Sequence, residues 1–456
     1  MFRSRHLALA LLAVLGSACT RQPPPNVVVI VVDTLRADRL GSYGNPRGLT
    51  PFLDSLAARG AVFLNAYATT SWTCPSVASL LTSRYPSQHR VVSFDSRLSD
   101  DEVTFAERLA PLHYAAGGFS ANFRLLESLG YAQGFGHWFA QVTSGEDMRG
   151  PELRARALEW LDGAWHRTSN QPGLLYMQYM EPHAPYEPVE PYRSRFERRE
   201  DGAGDAAVAN AKLVGMRWYD LTTADVHLLE SLYDGEVAAV DAELQQLFAE
   251  LERRGFLDRS IIIVAGDHGE QFLEHGGLMH GTNLYNETVR VPLIVVAPGV
   301  EGGQRIEQNV SLVDVAPTLL DLLGLPAEPR FEGRSLVPLL GGRSGSGQAA
   351  NAPRDVILQL ESTGYGLDAR EHVDGVTRGS VKLLVRPTGS TETYDLAVDP
   401  AEKNDNPSGR AADTVALAAA LTQKTADLHT RAGTAVKGPA IDDATREKLR
   451  ALGYHF

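Results

Sequence analysis

Several short segments of this 456-residue chain carry side chains whose types and spacing could do chemistry. In Val31-Val32-Asp33-Thr34-Leu35-Arg36 a carboxylate ends a β-branched run, where it could ligate a metal or cap the following helix. Ala265-Gly266-Asp267-His268-Gly269-Glu270 puts a hard oxygen donor beside an imidazole just beyond an apolar run. That pair suits a divalent ion, although a polar turn uses the same residue types. Thr73, in Ser71-Trp72-Thr73-Cys74-Pro75-Ser76, offers a hydroxyl. A threonine hydroxyl attacks poorly at neutral pH unless a metal or base lowers its pKa. The plainer alternative is a helix-entry hydroxyl that satisfies backbone donors. Pro75 favours the first turn of a helix running through Leu81, which sets Thr73 just ahead of a helix N-terminus. Backbone N–H groups and the helix dipole attract an anionic group there. His183, between Pro182 and Pro185, and His280, in Leu278-Met279-His280-Gly281, could hydrogen-bond a substrate oxygen or protonate a leaving group. Either ring could equally serve structure alone, and His275 is a weaker candidate of the same kind.

These residues need a frame that brings distant segments together. Asn26–Val32 is a near-continuous β-branched run, as expected of a strand buried on both faces of a parallel sheet. Apolar runs recur at Gly173–Tyr179, Ile261–Ala265 and Val291–Ala297. Helical patterns lie between them at Pro51–Arg59, Phe105–Ala110, Pro151–Trp165 and about Val226 to Arg254. The alternation predicts an α/β fold with a mainly parallel central sheet flanked by helices. Ligands of such sheets gather beyond the carboxyl ends of the strands, which is where Asp33, His183, Asp267 and His268 fall. Gly341–Pro353 is rich in Gly, Ser and Ala and reads as a linker or surface loop. The expected division is a signal and spacer over 1–25, a catalytic α/β domain over 26–345 and a smaller C-terminal α+β subdomain over 354–456.

Apolar content of 43% and charged content of 22% are ordinary for a globular chain, and the length allows one large and one smaller unit. A net charge of -13 argues against nucleic acid or an anionic membrane surface as the main partner. Arg3 and Arg5, the apolar run Leu7–Leu15 and the small residues up to Cys19 read as an export signal. Gly16-Ser17-Ala18-Cys19 resembles a bacterial lipoprotein cleavage site; the alternative is a cleaved secretory signal with an incidental cysteine. The expected location is the periplasm or cell envelope, with membrane contact only through a lipid on Cys19. Cys74, the other cysteine, is then left without a disulfide partner and reads as a small buried residue.

Taken together, these segments resemble the sulfatase family of the alkaline phosphatase superfamily. The resemblance rests on Val32-Asp33-Thr34-Leu35-Arg36-Ala37-Asp38, the Thr73 segment, Glu181-Pro182-His183, Asp267-His268-Gly269-Glu270 and Arg290-Val291-Pro292-Leu293. Thr393-Tyr394-Asp395-Leu396, Asp399-Pro400-Ala401-Glu402 and Leu452-Gly453-Tyr454 are similar to that family's C-terminal region. The resemblance implies an α/β sandwich with a small C-terminal subdomain. The chain departs from the family pattern in three segments. That pattern puts a cysteine, oxidised to formylglycine, two residues before a Pro-Ser pair and an arginine just after it. Here Thr73 and Val77 stand at those places, and Cys74 is one residue out of register. The second aspartate of the usual pair is Thr34, and Ser120-Ala121-Asn122-Phe123 takes the place of the lysine- and histidine-bearing segment. Asp33, Thr73, Asp267 and His268 together are similar to the set in lipoteichoic acid synthases and phosphoethanolamine transferases, which use a threonine nucleophile and a divalent metal.

The expected function is a metal-dependent hydrolase of sulfate or phosphate esters, acting on a small anionic ester or on a glycan or lipid. Asp33, Asp267, His268 and Thr73 would hold one divalent ion, Zn²⁺ or Mn²⁺ in preference to Ca²⁺ because of the imidazole. Thr73 would attack, His183 or His280 would assist the leaving oxygen, and Asn122 would contact a nonbridging oxygen. Two other readings stay open on sequence alone. One is a transferase passing a phosphoryl-linked group to an envelope glycan or lipid. The other is a surface-anchored binding protein that kept the fold and lost turnover.

Overall fold

The computed structural model describes residues 23–440, apart from 141–148, 166–170, 342–353, 362–371 and 406–408, and a few positions between 443 and 450. The export signal, Cys19 and Leu452-Gly453-Tyr454 lie outside the described residues, as does most of the Gly341–Pro353 linker.

Among the described residues, nine strands form the main sheet. In chain order they are β1 (Asn26–Val32), β2 (Ala61–Tyr67), β3 (Ala115–Ser120), β4 (His137–Ala140), β5 (Gly173–Tyr179), β6 (Ser260–Gly266), β7 (Arg290–Val291), β8 (Leu293–Val296) and β9 (Gln304–Ser311). The spatial order is β7-β2-β8-β6-β1-β5-β3-β4, with β9 parallel to β2. Pairs from β6 through β4 are all parallel; β8 runs antiparallel to both β2 and β6. The sheet is therefore mixed but mainly parallel. β1 sits at its centre, and Val27 through Val32 are completely buried, which explains an uninterrupted rather than alternating apolar run.

Register decides where the polar residues emerge. Val32 pairs with Tyr179 on one side and Gly266 on the other, so β1, β5 and β6 end at one level. The next residues, Asp33 and Asp267, therefore leave the sheet side by side. On the far side of β5, Ser120 pairs with Gln178, which brings Asn122 to the same rim.

Helices cover both faces. The helix α1 (Thr73–Thr82) is buried at all ten positions, so its N-terminus is fixed by packing rather than by surface contacts. Thr73 opens this helix instead of preceding it, one position earlier than Pro75 suggested. Cys74 is a free, buried cysteine. The long helix α2 (Thr223–Arg253) starts at a capping box between Thr222 and Asp225 and buries Leu228, Leu232, Val240, Leu244 and Leu251. It also supports the rim: Tyr233 Oη donates to Thr34 O at 2.7 Å and accepts from Arg36 N at 3.1 Å.

A second, antiparallel sheet follows, formed by β10 (Val356–Glu361), β11 (His372–Arg378), β12 (Val381–Val385) and β13 (Thr391–Asp395). Helix α3 (Ala411–Thr430) seals one face through Leu417, Leu421 and Leu428, which pack with Ile357, Val376 and Leu383. This C-terminal subdomain is tied to the main one by polar contacts. Gln359 N donates to Thr69 O at 2.7 Å, and Arg354 pairs with Asp314 at 2.7 Å. Lys382 Nζ lies 2.7 Å from Glu402 Oε1 with both side chains wholly buried, and Asn286 N donates to Glu402 Oε2 at 2.5 Å. Among the described residues no helix is long and apolar enough to cross a membrane.

Candidate active site

The rim of the main sheet gathers residues from five places in the chain. Asp33 follows β1, Thr73 opens α1, Asn122 follows β3, and Asp267 and His268 follow β6; His183 lies just past β5. Thr73 Oγ1 is 3.5 and 3.4 Å from the two Asp33 oxygens and 3.2 Å from His268 Nε2. His268 Nε2 is in turn 3.5 Å from Asp33 and 3.9 Å from Asp267. All four of these side chains are buried.

Each member is held by contacts that the local fold supplies. Asp267 Oδ1 accepts from the backbone N–H groups of Thr34 (3.2 Å) and His268 (2.9 Å), while Gln178 Nε2 donates to Oδ2 at 3.2 Å. Asn122 Nδ2 donates to Asp33 Oδ2 at 2.8 Å, and Asn122 Oδ1 accepts from Arg124 N at 2.9 Å. Asn122, expected to face a substrate oxygen, thus has a partner within the protein. Thr34, where the family pattern has a second aspartate, sits at φ 54°, an uncommon conformation for a β-branched residue. Its backbone serves Asp267, and its buried hydroxyl has no hydrogen-bond partner among the described residues.

His268 Nδ1 lies 2.9 Å from Gly269 O. A carbonyl only accepts, so the proton is on Nδ1 and Nε2 presents a lone pair to Thr73 and the carboxylates. His183 Nδ1 is likewise held by a carbonyl, Ala184 O, at 2.6 Å. His280 differs: its Nδ1 is 2.9 Å from Glu270 Oε1, and Tyr186 Oη donates to Glu270 Oε2 at 2.9 Å. The ring centroid of His280 lies 4.4 Å from that of His268 and 4.9 Å from that of His183. His275 is elsewhere, bonded to Glu287 and stacked on Tyr285.

Electrostatics follow from dryness. Burial pushes the Asp33 carboxyl up to about 7, and the Asp267 charge beside it adds to the rise. Burial also takes Asp267 up to about 7 against its three N–H donors. The same desolvation lowers His268 and His183 to about 4 and His280 to about 3. Among the described residues neither aspartate has a lysine or arginine within ion-pair distance. Two buried carboxylates without a cationic side chain are costly, and a divalent cation would supply the missing charge. Ligand atoms of Asp33, Asp267 and His268 all lie within 4.8 Å of one another, close enough to share one ion. The Gly269 carbonyl that fixes His268 is the kind of outer contact that orients metal-ligating imidazoles. The donor set fits a divalent metal.

Gln178, Glu270, Tyr186 and Thr34 were not assigned roles from sequence. Gln178 carried a readable signal: it is the one amide within the apolar run of β5. Tyr186 did not, because only the fold brings it to Glu270.

Comparison with known proteins agrees with this architecture. The model of the sulfatase family matches residues 25–325, and that of the N-sulphoglucosamine sulphohydrolase C-terminal region matches residues 274–430. Arylsulfatase K of Rattus norvegicus is 24% identical over 432 residues, covering 83% of this chain and 74% of its own. Arylsulfatase of Clostridium perfringens (strain 13 / Type A) is 25% identical over 441 residues, covering 83% of this chain and 89% of its own. Among solved structures, the phosphonate monoester hydrolase of Agrobacterium radiobacter superposes with a TM-score of 0.71 at 23% identity, covering 89% of this chain and 96% of that one. The protein BT4656, solved with its substrate D-glucosamine-2-N,6-O-disulfate, gives a TM-score of 0.73 at 21% identity, covering 89% and 98%. With its main sheet, its rim of buried acid and imidazole groups and most of its length under that family's model, the chain belongs to the sulfatase family of ester hydrolases.

Proposed function

We propose that this chain hydrolyses sulfate or phosphate esters with Thr73 as the nucleophile and one divalent metal held by Asp33, Asp267, His268 and the Thr73 oxygen. The observation that carries the reading is the position of Thr73 Oγ1, 3.2 Å from His268 Nε2 and 3.4 Å from Asp33 Oδ2 at a helix N-terminus. A bound divalent ion supplies Lewis acidity and lowers the pKa of a coordinated oxygen. Two carboxylates with one imidazole favour Zn²⁺ or Mn²⁺ over Ca²⁺. Thr73 Oγ1 attacks sulfur or phosphorus and passes its proton to Asp33 Oδ2. The N-terminal N–H groups of α1 hold the nonbridging oxygens. The bond to the leaving oxygen breaks, and that oxygen takes a proton from one of the site histidines. Water then attacks the threonyl ester and returns the hydroxyl. Gln178 and Asn122 hold the two carboxylates in place throughout.

A sulfated sugar is the substrate class that one structural neighbour supports, since BT4656 was solved with its substrate D-glucosamine-2-N,6-O-disulfate. The test is turnover of aryl sulfate and aryl phosphate by wild-type protein and by Thr73→Ala, with mass spectrometry of acid-quenched protein. The expected result is loss of at least about 10³-fold in kcat, the scale for removing a nucleophile, and a sulfate or phosphate adduct on the Thr73 peptide in wild type only. Unchanged turnover in Thr73→Ala refutes the assignment.

A further inference from the structure

A short hairpin joins the segment of His268 to His280. Gln271–Phe272 pairs antiparallel with Leu278–Met279, so the second leg runs straight into His280. His275 stands in its turn, which Leu273 N closes on Gly277 O at 2.8 Å. The His275 ring lies nearly flat on Tyr285, with centroids 3.6 Å apart, and its side chain is 11% exposed. Nδ1 is 2.6 Å from Glu287 Oε1, and Nε2 is 2.9 Å from Glu402 O. Glu402 belongs to the C-terminal subdomain, so the tip of this hairpin is tied across to it.

Both ring nitrogens face acceptors. A carbonyl only accepts, so the contact with Glu402 needs hydrogen on Nε2. The close approach to the Glu287 carboxylate needs a second hydrogen, on Nδ1. Only the imidazolium makes both bonds. A neutral ring has one N–H and must turn a lone pair towards the other acceptor; it keeps the carboxylate, the stronger partner, and drops the carbonyl. Of the charges around the ring, Glu287 favours the cation and Lys403 opposes it. The other carboxylates nearby are already matched: Glu402 by Lys382 at 2.7 Å, Glu274 by Arg36 at 2.5 Å and Glu392 by Arg386 at 2.9 Å. Burial opposes the charge on His275, yet its bonds to Glu287 and Glu402 carry the pKa above the ordinary 6.5.

We propose that His275 is a pH-operated latch and a positioning residue. As an imidazolium it pins the hairpin tip to the C-terminal subdomain and so holds His280 in place; on losing a proton it lets go of the Glu402 carbonyl. The latch stands on its own geometry, and its effect on turnover rests on the hydrolase reading. A pKa raised in the folded protein means that the fastening is complete below 6.5 and is lost as pH rises through the folded value.

The test uses full-length protein with added Zn²⁺ and ¹⁵N-labelled histidine, as wild type, His275→Gln, Glu287→Gln and Thr73→Ala. The ring resonances missing from His275→Gln identify His275. In wild type both its nitrogens should carry hydrogen at about pH 6, and Glu287→Gln should lower its proton affinity by at least about tenfold. Hydrogen-exchange protection of the Leu273 and Gly276 amides should fall about 10-fold above the titration midpoint, the scale of one charge-assisted hydrogen bond. In His275→Gln that protection should be low and flat with pH. With an aryl ester, kcat should drop across the same midpoint in wild type, and His275→Gln should lack that limb. Should His275→Gln fail to fold, Glu287→Gln carries the comparison through its displaced midpoint. A His275 ring that is neutral at about pH 6, or protection that ignores its titration, overturns the latch, and a kcat that ignores it overturns the positioning role. Thr73→Ala should keep the titration and the protection change while losing turnover. Turnover retained there sinks the hydrolase reading and leaves the latch standing.

Discussion

Without a metal at the proposed site, stability should depend on pH in a direction set by Asp33 and Asp267. Burial holds both carboxyls at about 7, against an ordinary value of 3.8. In the metal-free protein the folded state therefore keeps protons that the unfolded chain releases, and stability falls as pH rises from 3.8 towards 7. Below that window the carboxyls are protonated in both states and cost nothing. Between about pH 5 and about pH 7, one such group loses roughly two units at about 1.4 kcal/mol each, or about 3 kcal/mol. Unfolding entropy of about 2.1 cal/mol/K per residue gives about 1 kcal/mol/K for a chain of this size. The melting temperature should thus drop by about 3 °C per aspartate relative to metal-loaded protein. Scanning calorimetry at both pH values, with chelator or with Mn²⁺ or Zn²⁺, measures the gap directly. Asp33→Asn, which has no charge to desolvate, should narrow it. A gap of the same size at both pH values, or one untouched by Asp33→Asn, refutes the placement of these carboxylates at a cation site.

Two further substitutions probe the frame. A methyl group added at Gly269 would lie 2.1 Å from Glu287 O, a backbone atom, so Gly269→Ala forces one of the two backbones to shift, and the Gly269 carbonyl is the one that holds His268. Metal affinity measured by titration calorimetry should fall about 10- to 100-fold, as for other losses of outer-shell support. Lys382→Met leaves Glu402 buried without its cation and should cost about 3–5 kcal/mol in a denaturant melt. Adding Glu402→Gln to that variant should restore most of it, because the neutral amide no longer needs a counter-charge.

Much of the site was legible in the sequence because parallel strands announce themselves. β1, β5 and β6 are long apolar runs, and the polar residue after each run had to stand at the sheet's carboxyl edge. Strands away from the centre were harder: β3 reads Ala-Ala-Gly-Gly-Phe-Ser and is weak in strand formers, yet it delivers Asn122. Here tertiary packing overrides propensity, for Gly117 and Gly118 give room to the rings of Trp160 and Trp138. The partner of each imidazole was not legible at all. Whether a histidine meets a carbonyl or a carboxylate depends on loops that no periodicity describes, and Tyr186 is 84 positions from Glu270.

The level endings of β1, β5 and β6 carry a wider consequence. Hydrogen-bond ladders, not the reactive side chains, set the spacing between neighbouring sockets along this edge, and a strand cannot creep by a fraction of a residue. Chemistry at one socket can then be exchanged, an acid for an alcohol or an amide, while the distances to the others stay as they were. A scaffold built this way can try new reactions one position at a time without first relearning how to fold.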